Sequence, residues 1–378
     1  MLLRTFGGSF GIAAVGLVLG YIYGGGKGLA LAAILAVLEV SLSFDNAVVN
    51  ATVLVRMSPF WQKIFLTVGV AIAVFGMRLV FPLLIVGITA SLTPVEAIRL
   101  ALDKGDPAKH GTYGYLLHQA HPAIAAFGGM FLLMLFLDFI FEEREITWLS
   151  WIERPLARIG KLDQLSVVIA LGALAVSAYT LGKHADTAQP DRISTILVSG
   201  VLGIATYLLV NSLGEFFDQD EDEDGDGDSD ADDLQAKLEK NKTMHVVGKA
   251  AFFLFLYLEV LDASFSFDGV VGAFAITSDP IIIAIGLGIG AMFIRSLTVY
   301  LVKKGTLAEY VYLEHGALYA IGALAVLLLI TIEYEVPEVV TGLIGVAFIG
   351  AALVSSIIRN RRADAEGDPA PERAPAAV

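Results

Sequence analysis

Apolar residues along this chain are gathered into long runs, and the polar residues fall mostly between them. Runs of this kind match the roughly 20 residues that an α-helix needs to cross a bilayer. Windows of that width predict about ten spans, over 6–23, 28–55, 64–88, 122–141, 165–181, 193–216, 246–276, 281–302, 316–332 and 336–358. The first run has only Arg4 ahead of it and no small-residue cleavage site before the next, so it reads as a helix and not a secretory leader. The expected fold is therefore all-α, a polytopic transmembrane helical bundle. Between the third and fourth spans, Thr93-Pro94-Val95-Glu96 has the pattern of a capping box with proline at the first helical position, so a short helix is expected there.

Composition agrees with the pattern. Of 378 residues, 56% are hydrophobic and 17% are charged, against about 25% charged in a typical soluble domain. The absence of cysteine excludes disulfides, thiolate metal ligands and cysteine nucleophiles. The six histidines form no His-Glu-x-x-His pattern, which removes the zinc-protease reading. The net charge of −14 comes largely from one segment, Asp218 to Asp233, which is rich in Asp and Glu and holds no base. In one frame it matches a calcium loop from Asp222 to Asp233, but its low complexity favours a solvated spacer. No compact basic patch is present, so a nucleic-acid partner is not expected.

With ten spans, both termini and alternate loops share one side, and that side collects 17 of the 25 Lys and Arg residues against six on the other. The positive-inside rule then places both termini, and the acidic linker, in the cytoplasm. Two arginines, Arg78 and Arg295, lie inside spans.

Two spans carry nearly the same motif. Glu39 stands six residues before Asp45 in the first, and Asp262 six residues before Asp268 in the second; each pair brackets a Ser-x-Ser-Phe-Asp core. A charged side chain at the bilayer centre costs about 2.5–3.5 kcal/mol on insertion scales, so matched acids in two spans point to a functional site. The motifs lie five spans apart, so their helices cross in opposite directions, as in transporters built from inverted repeats. Each motif span is followed by one holding an arginine, Arg78 or Arg295, a natural partner for the acids. In a continuous helix Glu39 and Asp45 stand roughly 120° apart. Serines 41, 43, 264 and 266, with Asn46, Asn50, Gly269 and Gly272, are the composition expected of a helix interrupted at the midplane.

Oxygen-only ligands suit magnesium, calcium or manganese in preference to copper or zinc. The expected ligands are Glu39, Asp45, Asn46, Glu259, Asp262 and Asp268, with Arg78 and Arg295 gating or pairing them, and protons are a candidate coupling ion. No resident cofactor is expected beyond the transported divalent cation. The partners are the lipid bilayer and that metal ion, with the oligomeric state left open. Glycines such as Gly286, Gly288 and Gly290 read as helix-packing positions. His110, His118 and His121 read as solvated.

At these motifs the chain resembles the TerC family of bacterial membrane proteins, in a branch catalogued as a domain of unknown function. Glu39, Ser43, Asp45 and Asn46 match its first pattern; Glu259, Asp262, Phe265 and Asp268 match its second, with Gly269 where the family has serine. The resemblance covers the two three-helix repeats. It implies a place among exporters related to the lysine exporter, several implicated in manganese efflux, in a prokaryotic inner membrane. The expected division is 1–27 as lead-in and first span, 28–141 and 245–332 as transport repeats, 142–216 as intervening spans, 217–244 as acidic linker, 333–358 as last span and 359–378 as disordered tail.

The expected function is thus export of a divalent metal, manganese first, and no enzymatic activity. An aspartyl intramembrane protease using Asp45 and Asp268 lacks the Gly-x-Gly-Asp context beside its second aspartate. A non-transporting scaffold or assembly factor, or a calcium transporter, are the alternatives.

Overall fold

The structure is a computed structural model that describes residues 2–103, 105, 108–144, 146–162, 164–181, 192–223, 246–277, 279–304, 309–334 and 336–366. It is all-helical, with 87% helix and no strand among the described residues. In chain order the helices are α1 (Leu2–Leu42), α2 (Phe44–Leu54), α3 (Pro59–Ile64), α4 (Phe81–Thr89), α5 (Pro94–Leu102), α6 (Tyr113–Phe141) and α7 (Ser150–Ile159). They continue as α8 (Leu165–Leu181), α9 (Arg192–Glu223), α10 (Gly248–Ile276), α11 (Pro280–Lys304), α12 (Leu313–Thr331) and α13 (Glu338–Glu366). Between α3 and α4 the helix passes through wide π turns at Phe65–Gly69 and Ile72–Val80.

Among the described residues, seven helical stretches are long and apolar enough to cross a membrane: Thr5–Ser41, Pro59–Ile88, Tyr113–Phe141, Arg192–Leu213, Pro280–Lys303, Leu313–Thr331 and Val340–Arg362. Set against the ten expected spans, α8 and α10 are missing from these seven, and the first two expected spans fall in one stretch whose arms are separated by a kink. The first two expected spans share α1, which turns at Gly25 (φ 60°, ψ −152°), a conformation open to glycine because it has no Cβ. Beyond Gly25 the two arms fold back on each other so closely that a Cβ at Gly20 would stand 3.3 Å from the Gly28 carbonyl. Helix α8 is apolar but only 17 residues long. Helix α10 has the length, 29 residues, but carries the second motif's acids.

The bundle is built around α6 and α12, which pack on each other; α9 and α10 flank α6, and α13 covers α12. Met130, Phe131, Met134, Ile321 and Leu328 fill the space between them. The folded arms of α1 lie along α11, which also touches α2 and the π-helical segment. Outward apolar side chains such as Phe10, Val18, Ile22, Val176 and Leu343 stay exposed, as a lipid-facing surface requires.

The capping box forms as expected: Thr93 Oγ1 accepts from the Glu96 amide, and the Glu96 carboxylate accepts from the Thr93 amide. The C-terminal expectation needs correction. Helix α13 runs to Glu366, eight residues past the 358 boundary, because Arg, Ala and Glu are good helix formers and Asn360 Nδ2 ties the extension to the Glu309 carbonyl at 2.8 Å. The calcium-loop frame reaches beyond Glu223 and lies outside the described residues.

Candidate functional site

The first motif starts on the second arm of α1. Helical geometry lapses at Ser43 (φ −99°, ψ 17°), and α2 begins at the next residue. The Ser43 hydroxyl is placed to cap α2 but makes no capping bond; it donates to Glu39 Oε1 at 2.9 Å. The interruption therefore falls between Glu39 and Asp45, the two acids that a continuous helix would turn apart. Ser41 points elsewhere, exposed and bonded to the Val37 carbonyl.

The second motif does not share this break. Helix α10 is continuous through Glu259, Asp262 and Asp268. Its Ser264 hydroxyl bonds the Val260 carbonyl one turn back at 3.0 Å, which satisfies the side chain within the helix and leaves the ladder intact. The expectation of an interrupted helix thus holds for one motif and fails for the other.

The buried polar side chains of both motifs meet at the interface of α1, α2, α10, α11 and the π-helical segment. Glu39 is 1% exposed and is paired with Arg78, which also donates to the Ala73 carbonyl. Asp262 is 4% exposed, accepts from Asn46 Nδ2 at 2.6 Å and lies 3.4 Å from Arg295 Nη2. Glu259 lies 3.8 Å from the same guanidinium, and neither of its oxygens receives a hydrogen bond. Arg295 also covers the Phe65 ring, 3.8 Å from its centroid, and donates to the Gly69 carbonyl in the first π turn. Two buried arginines therefore face three buried carboxyls.

A close helix approach makes this possible. On α11, a Cβ at Gly290 would overlap Cβ and Cγ of Glu39, and one at Gly286 would overlap Leu35. The glycines read as packing positions do hold this contact, and Gly290 is what admits the Glu39 side chain.

The two motifs touch at matching positions. Aligned without gaps, Glu39 corresponds to Asp262 and Asn46 to Gly269. Asn46 bonds Asp262, while a Cβ at Gly269 would stand 3.2 Å from Glu39 Oε2. Each motif's late residue thus lies beside the other's early acid. The backbones of Asp45 and Asp268 are helical, on α2 and α10; the placement of their side chains lies outside what the structure describes. Among the described residues, no group of three acids or histidines is arranged to hold a metal.

The matched family model, described as Protein of unknown function (DUF475), covers residues 44–363. The chain belongs to this family. The DUF475 match begins at the first residue of α2, so Glu39 precedes it while Asp45, Asn46, Arg78, Glu259, Asp262, Asp268 and Arg295 all fall within it. It also runs through the intervening helices and the acidic segment, beyond the two repeats that carried the resemblance. No curated protein matches the chain, and no solved structure does.

Some buried polar residues were not among the expected ligands, although Asn50 was counted in the composition of the interrupted helix. Asn50 is fully buried with both amide atoms unpaired; its position four residues after Asn46, on the same helical face, was the available signal. Asp138 sits in the apolar run of α6 and accepts from the Tyr207 hydroxyl at 2.7 Å. Glu153 and His315 are buried together near Tyr319. Of the histidines after α5, His118 and His121 stack with centroids 6.3 Å apart, and His110 lies against Tyr115.

Proposed function

We propose that this protein is a polytopic membrane transporter that exports a divalent metal cation, manganese first, through a carboxylate site shared by two inverted repeats. The observation that carries the reading is the reciprocal contact of the motifs, Asn46 with Asp262 and Gly269 beside Glu39. A pseudo-twofold relation between two halves generates paired contacts of this form, where i meets j and the equivalent of j meets the equivalent of i. Burial supports it as well, since Glu39, Glu259 and Asp262 are each at most 5% exposed at the heart of a membrane bundle.

In this reading the chain is TerC-like, crosses the membrane about ten times and keeps both termini in the cytoplasm. Asp45 and Asp268 are the central ligands. Glu39, Asn46, Glu259 and Asp262 complete the oxygen shell or relay protons, and Arg78 and Arg295 hold the acids when the metal is away. Hard oxygen donors favour manganese, magnesium or calcium. Protons replacing the departing cation on the carboxyls would keep the buried charge balanced and couple the two fluxes.

One observation favours a competing reading. Glu39 and Asp262 already have arginine partners, as a purely structural pair in a scaffold or assembly factor would.

Proteoliposome flux separates the two. Wild type, Asp45→Asn and Asp268→Asn are compared at matched incorporation with manganese, calcium, magnesium and zinc. Manganese flux lost in either folded variant is the expected result; no metal-dependent flux from verified wild type moves the protein to the scaffold reading.

A further inference from the structure

Helix α7 (Ser150–Ile159) belongs to neither repeat. It joins α6, which is of membrane-crossing length and ends at Phe141, to the shorter apolar α8, starting at Leu165, so the connection leaves α6 close to one bilayer surface. Its inner face is anchored. Glu153 accepts from the Trp148 and Leu149 amides at 3.1 and 2.9 Å and from the Tyr319 hydroxyl at 3.2 Å. Ile152 and Leu156 pack on Phe139 and Tyr319. With Glu153 locked to the bundle, the rotation of α7 about its axis is set.

The face left outside combines two chemistries. Trp151 is 75% exposed, with Ile159 and Leu162 also exposed, while Arg154, Arg158 and Lys161 stand among them. Positions 151, 154 and 158 recur at helical spacing and so form one stripe, with Leu162 just beyond the helix end. Exposed apolar bulk is costly in water but favourable at the level of acyl chains and headgroups, where tryptophan concentrates and arginine reaches the phosphates. Lys161 is shared with Glu143 at 3.3 Å, which leaves the two arginines as the principal cations.

We propose that α7 is an interfacial helix whose Trp151–Arg154–Arg158 face docks on anionic phospholipid headgroups and orients the bundle in its leaflet. Charge complementarity and the fixed membrane proximity of α7 commit this face to lipid, in preference to a soluble anion or a protein partner.

The absence of cysteine makes the test direct, because a single introduced thiol is the only one labelled. Full-length Trp151→Cys and Ile159→Cys proteins are spin-labelled in phosphatidylcholine vesicles containing 30% phosphatidylglycerol. Accessibility is read against oxygen, which partitions into lipid, and a water-soluble nickel chelate. Both labels are expected at headgroup depth, favouring oxygen. Retention of phosphatidylglycerol by Arg154→Glu/Arg158→Glu, followed by native mass spectrometry, is expected to fall about fivefold per arginine. Labels reached only by the nickel chelate overturn the proposal, and so does unchanged lipid retention. Labels shielded from both reagents also overturn it, by showing that a second copy or another protein covers the face. These readouts are independent of metal flux, so they stand or fall apart from the transport reading.

Discussion

Asn46, on the helix after the first motif's break, donates to Asp262 of the second motif at 2.6 Å, joining two residues 216 positions apart in the chain. The C-terminal end of α2 also meets the N-terminal end of α10: the Ser58 amide donates to the Val246 carbonyl, and Val246 in turn donates to Arg56. These two points fix α2 and α10 as antiparallel neighbours. Asn50 and Glu259 each lie about one turn further along that shared direction, and both have side-chain atoms without a hydrogen bond.

Asn50→Leu tests the state of that amide. A buried amide with both atoms unpaired costs roughly 1–3 kcal/mol for each group left unsatisfied. The leucine variant, similar in size, is expected to melt higher than wild type in metal-free detergent. A lower melting temperature would mean that water or an ion already occupies the amide.

Arg295→Met removes the one cation that faces both Asp262 and Glu259. Leaving a buried charge without its partner costs about 3–5 kcal/mol, so a large drop in thermal stability is expected. Adding Asp262→Asn to the same chain is expected to recover a good part of the loss. Equal melting temperatures for the single and double variants would count against the pairing.

Gly290→Val probes the approach of α11 to the first motif. The new Cβ has no room beside Glu39, so the helices must part and the Glu39–Arg78 pair loosens. Overpacking of this kind typically costs about 1–3 kcal/mol. Gly7→Val, where nothing lies within 4 Å, serves as the control and is expected to melt like wild type.

The capping box of α5 gives a pH signature outside the membrane. Bonds from the Thr93 amide, and then from its hydroxyl, hold the Glu96 carboxyl below its ordinary value of 4.5. A depressed acid stabilises the folded form above its unfolded pKa and loses that contribution as pH falls through the folded value. The protection of amides 94–102, measured relative to their intrinsic exchange rates at each pH, is expected to be higher at pH 7 and to fall as pH drops below about 4.5. Glu96→Gln should flatten this pH dependence.

The parts of the site legible in the sequence were those written in residue type and spacing. Glu39, Glu259 and Asp262, with an arginine on each following span, are the expected residues found together in the interior, and Gly286 and Gly290 mark where α11 touches α1. Partner choice was less legible. Asp262 receives Asn46 as well as Arg295 because of a fold-back that spacing alone does not encode. The serines were ambiguous for a clearer reason: Ser43 and Ser266 share a local composition, yet the chain bends at one and runs straight through the other. What differs is at the matched hydroxyls themselves: Ser43 donates to the Glu39 carboxylate, whereas the buried Ser266 hydroxyl has no hydrogen-bond partner among the described residues. Hydrophobic length separated 6–23 from 28–55, and the chain does double back between them, at Gly25; what it did not show is the second lapse at Ser43, inside the expected 28–55 span.

The lapse at Ser43 makes the halves mechanically unequal. Torsion at one residue can tilt α2, and Asn46 with it, against the arm that holds Glu39, while α10 behaves as a single strut that carries Asp262 and Asp268 together. A change in the spacing of the paired motifs would therefore be taken up at the Ser43 lapse, with the unbroken α10 as its fixed anvil.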